Sequence, residues 1–360
     1  MPMVIDVHCH VGLSARRVDS ALPRFSFEPS GASGSPGFDS YLSPRMLNRA
    51  SWFFIRPYLL MDPREPRGDA LDARIEAVRD RHFAAATSVD RLVLLAFDEY
   101  YDDAGRPIGL ADPGQRFGSD IYVSNTFVRA MCRARPDRYL FGGSIHPYRQ
   151  GALEALAELA ASGVTLIKWL PIHQNIRAED ARTIAFLRAA ARLRVPMLIH
   201  YGGEMTLSRQ HMEFEHPGPI LQVLKRLRSD DEMPTVIIAH VATPSFPWQS
   251  PDGHQTLIDA LLGEFADAPL FADISALAAF GRTTWGRRLA RRRELHPKLL
   301  WGSDFPVPVM LRLFWRSLDR PARARIAALP SWIEQDLQLK RALGYDDRVF
   351  TQAANVLRIS

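Results

Sequence analysis

The sequence predicts an α/β fold, a (β/α)₈ TIM barrel with a lid inserted after strand 1 and extra helices at the C-terminal end. Three observations predict it. Eight short apolar runs alternate with segments of helical periodicity along the 360-residue chain. The runs are continuously apolar, as expected of strands that are buried on both faces of a parallel sheet. Several of the runs end in polar residues, histidine above all.

The predicted strands and helices follow one another in a regular order from residue 69 onward. Strands are predicted at residues 4–10, 91–97, 139–145, 164–169, 195–200, 235–240, 270–274 and 298–304. Helices are predicted at residues 69–87, 121–133, 152–161, 179–193, 219–227, 256–265 and 284–293, with further helices around Leu311, Ile333 and Phe350. A doubly wound open sheet is the alternative. It requires a glycine-rich phosphate turn after its first strand, and the sequence has none there.

A long segment, residues 13–68, interrupts this order after the first strand. Glycine, serine and proline are so dense in residues 25–37 that they prevent regular structure. A loop of this length is usually functional or disordered. We interpret residues 13–68, with a helical pattern near residues 47–60, as a lid; a surface insertion is the alternative. Residues 1–360 then form a single domain, with residues 307–360 as its C-terminal helices.

The composition fits a folded protein with a large core, because 47% of the residues are hydrophobic. No uninterrupted apolar stretch reaches the roughly 18 residues that a membrane span needs, so we expect no membrane partner. The N-terminus shows no basic-then-apolar leader, and we expect no signal peptide. The two cysteines, Cys9 and Cys132, do not indicate a disulfide framework and fit a reducing, cytoplasmic setting.

The formal net charge of +5 is carried mostly by arginine, which is densest in residues 287–293. A nucleic-acid or anion patch is one interpretation of this run. A solvated helix face is the other, and we favour it because no aromatic residues are interleaved with the arginines. We therefore expect a small-molecule substrate and no nucleic-acid partner.

Histidines and a carboxylate at the ends of the predicted strands indicate a metal site. Side chains alternate along a strand, so His8 and His10 lie on one face and can chelate a divalent metal together. Lys168, His200, His240 and Asp304 lie at or near the ends of later strands, on the rim where barrel active sites are found. Any one of these side chains could be a hydrogen-bonded core residue. Their convergence on one rim favours a metal and catalytic site instead.

These residues carry a resemblance to the amidohydrolase superfamily of metal-dependent barrels. The chain is most similar to the branch that contains uncharacterised hydrolases and enzymes of the amino-carboxymuconate-semialdehyde decarboxylase type. The resemblance rests on Asp6-Val7-His8-Cys9-His10, on Gly302-Ser303-Asp304-Phe305-Pro306, and on the closing Ala353-Ala354-Asn355-Val356-Leu357. It spans nearly the whole chain.

The resemblance also implies a metal centre. It implies that His8, His10, His200 and Asp304 hold a metal, Zn²⁺ being expected over other divalent ions and one ion over two. In the one-metal pattern His240 is a base or charge stabiliser. In the two-metal pattern Lys168 carries a carbamate that bridges the ions. Homodimers are common among related barrels, but the sequence itself does not indicate an oligomeric state.

The ligand types suit two reactions. A metal with an open position provides hydroxide near neutral pH and polarises a carbonyl, with Asp304 and His240 as the catalytic residues. We expect a hydrolase acting on an amide, ester or lactone bond of a small, carboxylated substrate. The alternative is a non-oxidative decarboxylase of an aromatic or unsaturated carboxylic acid. A binding protein that keeps a degenerate barrel is a third option, which the complete ligand set disfavours.

Four residues near the strand ends are predicted to bind substrate. Lys168 or Arg177 could hold a carboxylate through charge-assisted hydrogen bonds. Trp169, at the end of the fourth strand, could line a flat pocket for a ring, although simple barrel packing explains an aromatic residue equally well, and Tyr201 follows the fifth strand. Phe305 is a further candidate for the wall of the pocket. His146, at the end of the third strand, is predicted to line the pocket without binding metal.

Overall fold

The computed structural model describes residues 2–28, 37–49 and 68–359. In chain order the strands within these ranges are β1 Ile5–His10, β2 Ala15–Arg17, β3 Phe38–Leu42, β4 Arg91–Leu95, β5 Ile121–Val123, β6 Tyr139–Gly143, β7 Leu166–Trp169, β8 Met197–His200, β9 Val236–Ala239, β10 Leu270–Asp273 and β11 Leu299–Leu300. They form a parallel eight-stranded sheet in the order β1-β4-β6-β7-β8-β9-β10-β11 and a three-stranded sheet in the order β2-β3-β5.

Helices follow most strands of the large sheet, as the sequence predicts. They are α1 Pro44–Leu47, α2 Asp69–Ala84, α3 Asn125–Ala134, α4 Ala152–Ala161, α5 Pro171–Gln174, α6 Ala181–Arg192, α7 Gly218–Ser229, α8 Asp252–Leu262, α9 Thr283–Ala290, α10 Arg320–Ala327, α11 Trp332–Leu343, α12 Asp347–Thr351 and α13 Ala353–Val356. Short 3₁₀ turns occur at Met212–Phe214, His240–Ala242, Arg293–Lys298 and Leu311–Phe314. No helix in the described ranges is both long enough and apolar enough to cross a bilayer.

The large sheet closes into a barrel between its first and last strands. The main-chain N–H of His10 donates to the carbonyl of Phe305 at 2.8 Å, and that of Asp304 donates to the carbonyl of His8 at 2.9 Å. All the ladders of this sheet are parallel. The predicted TIM barrel is thereby confirmed.

Two hydrophobic clusters mark the inside and the outside of the barrel. Ile5 and Leu166 belong to the inner cluster, together with Ala353 and Leu357 from the C-terminal helices. The outer cluster, between strands and helices, contains the alternate strand residues such as Trp169. The C-terminal residues therefore fill the barrel at the end where the strands begin, and the site can form at the end where they finish.

Strict alternation fails along β1, and the irregularity determines where the two histidines of the predicted metal site point. Ile5 and Val7 belong to the inner cluster, whereas Cys9 belongs to the outer one. The register with β4 shifts between Asp6 and Cys9. Such an irregularity re-aims the side chains that follow it. As a result His8 and His10 both reach the cavity at the strand end.

One predicted helix is partly wrong. Residues 121–133 were expected to be helical throughout, but Ile121–Val123 is a strand that pairs antiparallel with β3. β-Branched and aromatic side chains suit a strand. The helix begins only after Ser124, whose Oγ caps it by accepting the N–H of Phe127 at 3.0 Å.

The segment of residues 13–68 is also more regular than predicted. Its described part contains β2 and β3, which form a sheet with β5, and the short helix α1. Ser14 anchors it to the barrel, because its main-chain N–H donates to Asp72 at 2.6 Å. Residues 29–36 of the predicted irregular stretch, and most of the predicted helical pattern at residues 47–60, lie outside the described residues.

Candidate active site

A cavity of about 790 Å³ lies where the strands of the barrel end. The structure brings six predicted site residues together in its lining: His8, His10, Lys168, His200, His240 and Asp304. They come from β1, β7 and β8 and from the turns after β9 and β11. In barrel enzymes, active-site side chains likewise come from several strands and meet at one rim.

Asp273 fixes the orientation of His8. Its Oδ2 lies 2.9 Å from Nδ1 of His8, and both side chains are buried. A carboxylate only accepts, so Nδ1 carries the proton and Nε2 is left with a free lone pair. That Nε2 faces the cavity, 3.2 Å from Nζ of Lys168 and 3.3 Å from Oδ1 of Asp304.

Asp304 lies between the two histidines of β1. Its Oδ1 is 3.3 Å from Nε2 of His10 as well as from that of His8. Burial alone would raise the pKa of Asp304, but His8, His10 and Lys168 together hold it well below its usual range. The side chain is therefore a carboxylate at neutral pH.

The donor set of His8, His10 and Asp304 fits a divalent metal. One ligand atom from each residue lies within 4.8 Å of the others. Two imidazoles and a carboxylate are a combination that zinc and other borderline or hard divalent ions accept. His8, His240 and Asp273 also lie this close. Asp273, however, accepts a hydrogen bond from Nδ1 of His8 and so supports that histidine from behind.

His240 presents one ring nitrogen to the site. Its Nδ1 donates to the carbonyl of Ser275 at 2.9 Å, which leaves Nε2 as an acceptor 3.8 Å from Oδ2 of Asp304. Its main-chain N–H donates to Oδ1 of Asp273 at 2.9 Å. The backbone from His240 to Ala242 is left-handed, with φ of 54° at His240. Strain of this kind clusters at functional sites.

His200 lies beside His240, with ring centroids 4.9 Å apart. Its Nε2 is 3.3 Å from the carbonyl of Gly203. Burial lowers the pKa values of both imidazoles well below the ordinary value, and the neighbouring Arg282 lowers them further. Both rings are therefore neutral, which is the form that binds a metal or accepts a proton.

Lys168 is buried between these groups, with a relative exposure of 2%. Burial lowers the pKa of its ammonium to about 8, against the pull of Asp273 and Asp304. Its side chain points into the barrel mouth because it alternates with Ile167 and Trp169, which face outward.

Three of the four predicted substrate-binding residues do not line the cavity. Trp169 faces the helices, where its Nε1 donates to the carbonyl of Ile145 at 2.7 Å and its ring packs on Phe186. Tyr201 belongs to the same outer cluster. Arg177 is exposed, with its guanidinium 5.3 Å from the ring centroid of Phe214. Alternation explains the first two, since each follows a residue that points inward.

The structure also corrects the role predicted for His146. This side chain is fully buried and does not line the cavity. Phe305, by contrast, forms part of the wall, as does Glu204 after β8. From the predicted lid, Leu42, Met46 and Arg49 reach the cavity.

Several site residues escaped the sequence analysis. Asp273 is the last residue but one of the seventh predicted strand, a position near the rim that could have identified it. Asp6 accepts the main-chain N–H groups of His8 and Ser303 at 3.0 and 2.9 Å and so ties the first strand to the last. Burial raises its pKa to about 7. Arg282 reaches the cavity from the segment after β10, and nothing in its sequence neighbourhood indicates this.

The fold and the site together define a class of protein: a (β/α)₈-barrel enzyme with a histidine and carboxylate site suited to a divalent metal at the C-terminal rim. The amidohydrolase family model matches residues 5–350, and the chain belongs to that family. No curated protein matches the sequence.

Solved structures resemble this chain over nearly its whole length. An uncharacterised TIM-barrel protein from Bordetella bronchiseptica has 16% identity and a TM-score of 0.53, over 98% of this chain and 99% of that one. A probable 2-pyrone-4,6-dicarboxylic acid hydrolase from Acinetobacter baumannii has 14% identity and a TM-score of 0.49, over 99% of each chain. A 5-carboxyvanillate decarboxylase from Sphingomonas paucimobilis has 12% identity and a TM-score of 0.48, over 100% of each chain. At such identities the likeness concerns the fold alone.

Proposed function

We propose that this amidohydrolase-family enzyme is a metal-dependent, non-oxidative decarboxylase of a small aromatic or unsaturated carboxylic acid. One observation carries the proposal: the predicted metal and catalytic residues cluster where the strands end, and most of the cavity wall around them is apolar. The described apolar wall includes Leu42, Met46, Ile75, Phe97, Ile121 and Phe305.

Such surroundings favour the loss of carbon dioxide. A carboxylate in an apolar environment is poorly solvated, and decarboxylation converts it into a neutral gas while the charge spreads over the remaining molecule. A flat, conjugated acid would also pack well against Phe97 and Phe305. A substrate that is small and largely apolar therefore suits the volume and the lining together.

The reaction needs one proton, which water supplies, and two residues that are unprotonated at rest are placed to relay it. The bond between the carboxyl carbon and the substrate breaks, its electron pair stays on the substrate carbon, and that carbon then takes up a proton. His240 Nε2 and Asp304 Oδ2 face one another at 3.8 Å at the cavity. Because Nδ1 of His240 is held by Ser275, proton exchange is confined to Nε2.

We further propose His8, His10, His200 and Asp304 as the ligands of one Zn²⁺ ion, with Lys168 uncarbamylated and available to bind the substrate. A divalent ion bound there would act as a Lewis acid that orients and polarises substrate oxygen atoms. Elemental analysis of protein purified without added metal tests this. We expect about one ion per chain in both the wild type and Lys168→Ala. About two ions, decreasing in Lys168→Ala, would instead indicate a carbamate-bridged pair.

Hydrolysis of an amide, ester or lactone is the second candidate. The ionised carboxylate of Asp304 favours it, because a carboxylate beside a metal site can accept the proton of an attacking water. In this reaction His240 would stabilise charge on the substrate oxygen once its Nε2 is protonated.

Product analysis distinguishes the two reactions. The metal-loaded enzyme is incubated with aromatic and unsaturated acids carrying a ¹³C-labelled carboxyl group, and in parallel with lactones, esters and amides of similar size. We expect labelled carbon dioxide, with one solvent deuteron incorporated per product molecule in heavy water. Products that contain the elements of water, without labelled gas, would overturn the decarboxylase proposal in favour of the hydrolase.

A further inference from the structure

Arg282 is a buried cation without a carboxylate partner. It lines the cavity with a relative exposure of 6%, and it forms no ion pair with any described residue. Its Nη2 donates to the main-chain carbonyl of Gly203, and its buried Nε has no hydrogen-bond partner among the described residues.

Burial with so few partners costs a guanidinium much of its solvation free energy. An arginine removed from water is stable only when charged or hydrogen-bonding groups surround it, and one neutral carbonyl is a weak substitute. Burial lowers the pKa of Arg282, although Glu204 and Asp304 act on it from a distance in the opposite direction. The local electrostatics therefore favour an additional anion beside Arg282.

Ser245 supplies a second unpartnered donor nearby. It also lines the cavity, it is 3% exposed, and its Oγ has no hydrogen-bond partner among the described residues. Gly203 lies against it so closely that a Cβ at position 203 would collide with both N and Oγ of Ser245. A Cβ at Gly281, where φ is +86°, would likewise collide with the carbonyl of Ser245. The segments after β8, β9 and β10 thus converge on one point, and glycine permits the contact.

We propose that Arg282 and Ser245 form a carboxylate-binding subsite within the cavity. An ionised carboxylate there would accept from Nε of the guanidinium and from the hydroxyl of Ser245, which are charge-assisted and neutral hydrogen bonds respectively. The inference deepens the proposed function and rests on it for the identity of the substrate.

The bound carboxylate is not the one that leaves. A guanidinium stabilises the anion and so opposes its conversion to carbon dioxide. The group held by Arg282 is therefore a second carboxylate, which remains on the product. The substrate class becomes an aromatic or unsaturated dicarboxylic acid, with its reacting carboxylate near His240 and Asp304. Nη2 of Arg282 and Nε2 of His200 both lie against the carbonyl of Gly203, which places the two subsites side by side.

Calorimetric binding to the metal-loaded protein tests the subsite. The probes are benzene-1,3-dicarboxylate, trans,trans-muconate and the monoamide of each, in which one carboxylate is replaced by a neutral group. We expect at least one dicarboxylate to bind tenfold or more tightly than its monoamide. Arg282→Gln should abolish this preference, Arg282→Lys should restore part of it, and Ser245→Ala should reduce it several-fold.

Arg209→Gln is the matched control. Arg209 lines the same cavity but is already paired with Glu215, so its loss should leave the preference intact. Equal binding of dicarboxylates and monoamides by the wild type, or an unchanged preference in Arg282→Gln, would overturn the inference.

Repeating the titration after treatment with a chelator separates the two subsites. A preference that survives metal removal and disappears in Arg282→Gln supports the proposal. A preference that depends on the metal and not on Arg282 assigns the second carboxylate to the metal and overturns it. None of these readouts requires turnover, so they stand apart from a failure to detect carbon dioxide.

Discussion

Two pairs of buried histidines lie on the same side of the barrel and differ in what their ring nitrogens contact. In His8 and His240, Nδ1 is bound within the protein while Nε2 faces the cavity. In His146, Nε2 lies 2.7 Å from the carbonyl of Gln174 and Nδ1 accepts the N–H of Tyr148 at 3.0 Å. In His173, Nε2 accepts the N–H of Asp120 at 3.2 Å and Nδ1 lies 3.1 Å from the carbonyl of Ser208.

The difference distinguishes a chemical role from a structural one. All four imidazoles are nearly inaccessible, so burial does not separate them. What separates them is whether one nitrogen retains a lone pair that points into a space where a ligand fits. In His146 and His173 both ring nitrogens form hydrogen bonds with main-chain groups, and these bonds join loops at the rim. His8 and His240 are fixed by the protein at Nδ1, and their Nε2 atoms face the cavity, where that of His8 lies 3.2 Å from Nζ of Lys168 and is available to a ligand.

Replacement of His8 should have the largest effect. His8→Ala removes a proposed metal ligand, and we expect kcat/KM to fall by about 1,000-fold or more, since metal polarisation supplies several kcal/mol of transition-state stabilisation. Bound metal should fall well below one ion per chain by elemental analysis. His173→Gln, the control, should retain the wild-type metal content. Metal loss in both variants, or in neither, would remove the distinction between the two pairs.

Replacement of Asp273, which contacts His8 from behind, tests the same comparison between the two pairs of histidines. Asp273→Asn keeps the shape of the side chain but removes the charge behind His8, and we expect metal affinity to weaken by about 10- to 100-fold. Competition with a chromogenic chelator measures it. Oδ2 of Asp120 lies 3.8 Å from Nδ1 of His173, further than Asp273 from His8 but also beside a buried imidazole, so Asp120→Asn is the control. Should Asp120→Asn weaken metal binding as much, the effect would be one of general stability.

The buried His146 should make the free energy of unfolding depend on pH. Burial lowers its pKa to about 4, from 6.5 for an exposed histidine. The unfolded chain therefore takes up the proton first, and the contribution of His146 to stability is lost as the pH falls from 6.5 towards 4. Between pH 7 and pH 5 the loss amounts to about 2 kcal/mol.

The measurement is urea unfolding of the wild type and His146→Gln at both pH values. The free energy of unfolding of the variant should fall by about 2 kcal/mol less than that of the wild type over this interval. Metal content should be unchanged in the variant at pH 7. An identical pH dependence in the two proteins would show that His146 can be protonated in the folded state.

The barrel could be predicted from the sequence because its signals are local. Each inner strand is a short run such as Met197–His200, buried on both faces, and no partner has to be known to recognise it. The three-stranded sheet could not be predicted. Ile121–Val123 is a strand only because it pairs with Phe38–Leu42, a segment distant in the sequence, and this pairing leaves no local pattern.

The site was predicted where chemistry follows from strand position, and missed where it follows from loops. His200 and Asp304 end predicted strands, so convergence on one rim was foreseeable. Alternation, applied strictly, would have turned Trp169 and Tyr201 away from the cavity. Arg282 lies in an irregular segment whose course depends on close packing at Gly203 and Gly281, and such packing cannot be deduced from one sequence.

The hydrogen bonds that close the barrel join His8 to Asp304 and His10 to Phe305, residues near opposite ends of the chain. During synthesis β1 is made before the last strand of the barrel, and it has no partner on this edge until that strand emerges. His8 and His10 cannot meet Asp304 before that moment, so capture of the proposed metal by these three residues must follow synthesis of the last strand. A bound ion would then clasp the first strand to the last and stabilise the closed ring by mass action. The uptake of metal during refolding would therefore report when the barrel closes.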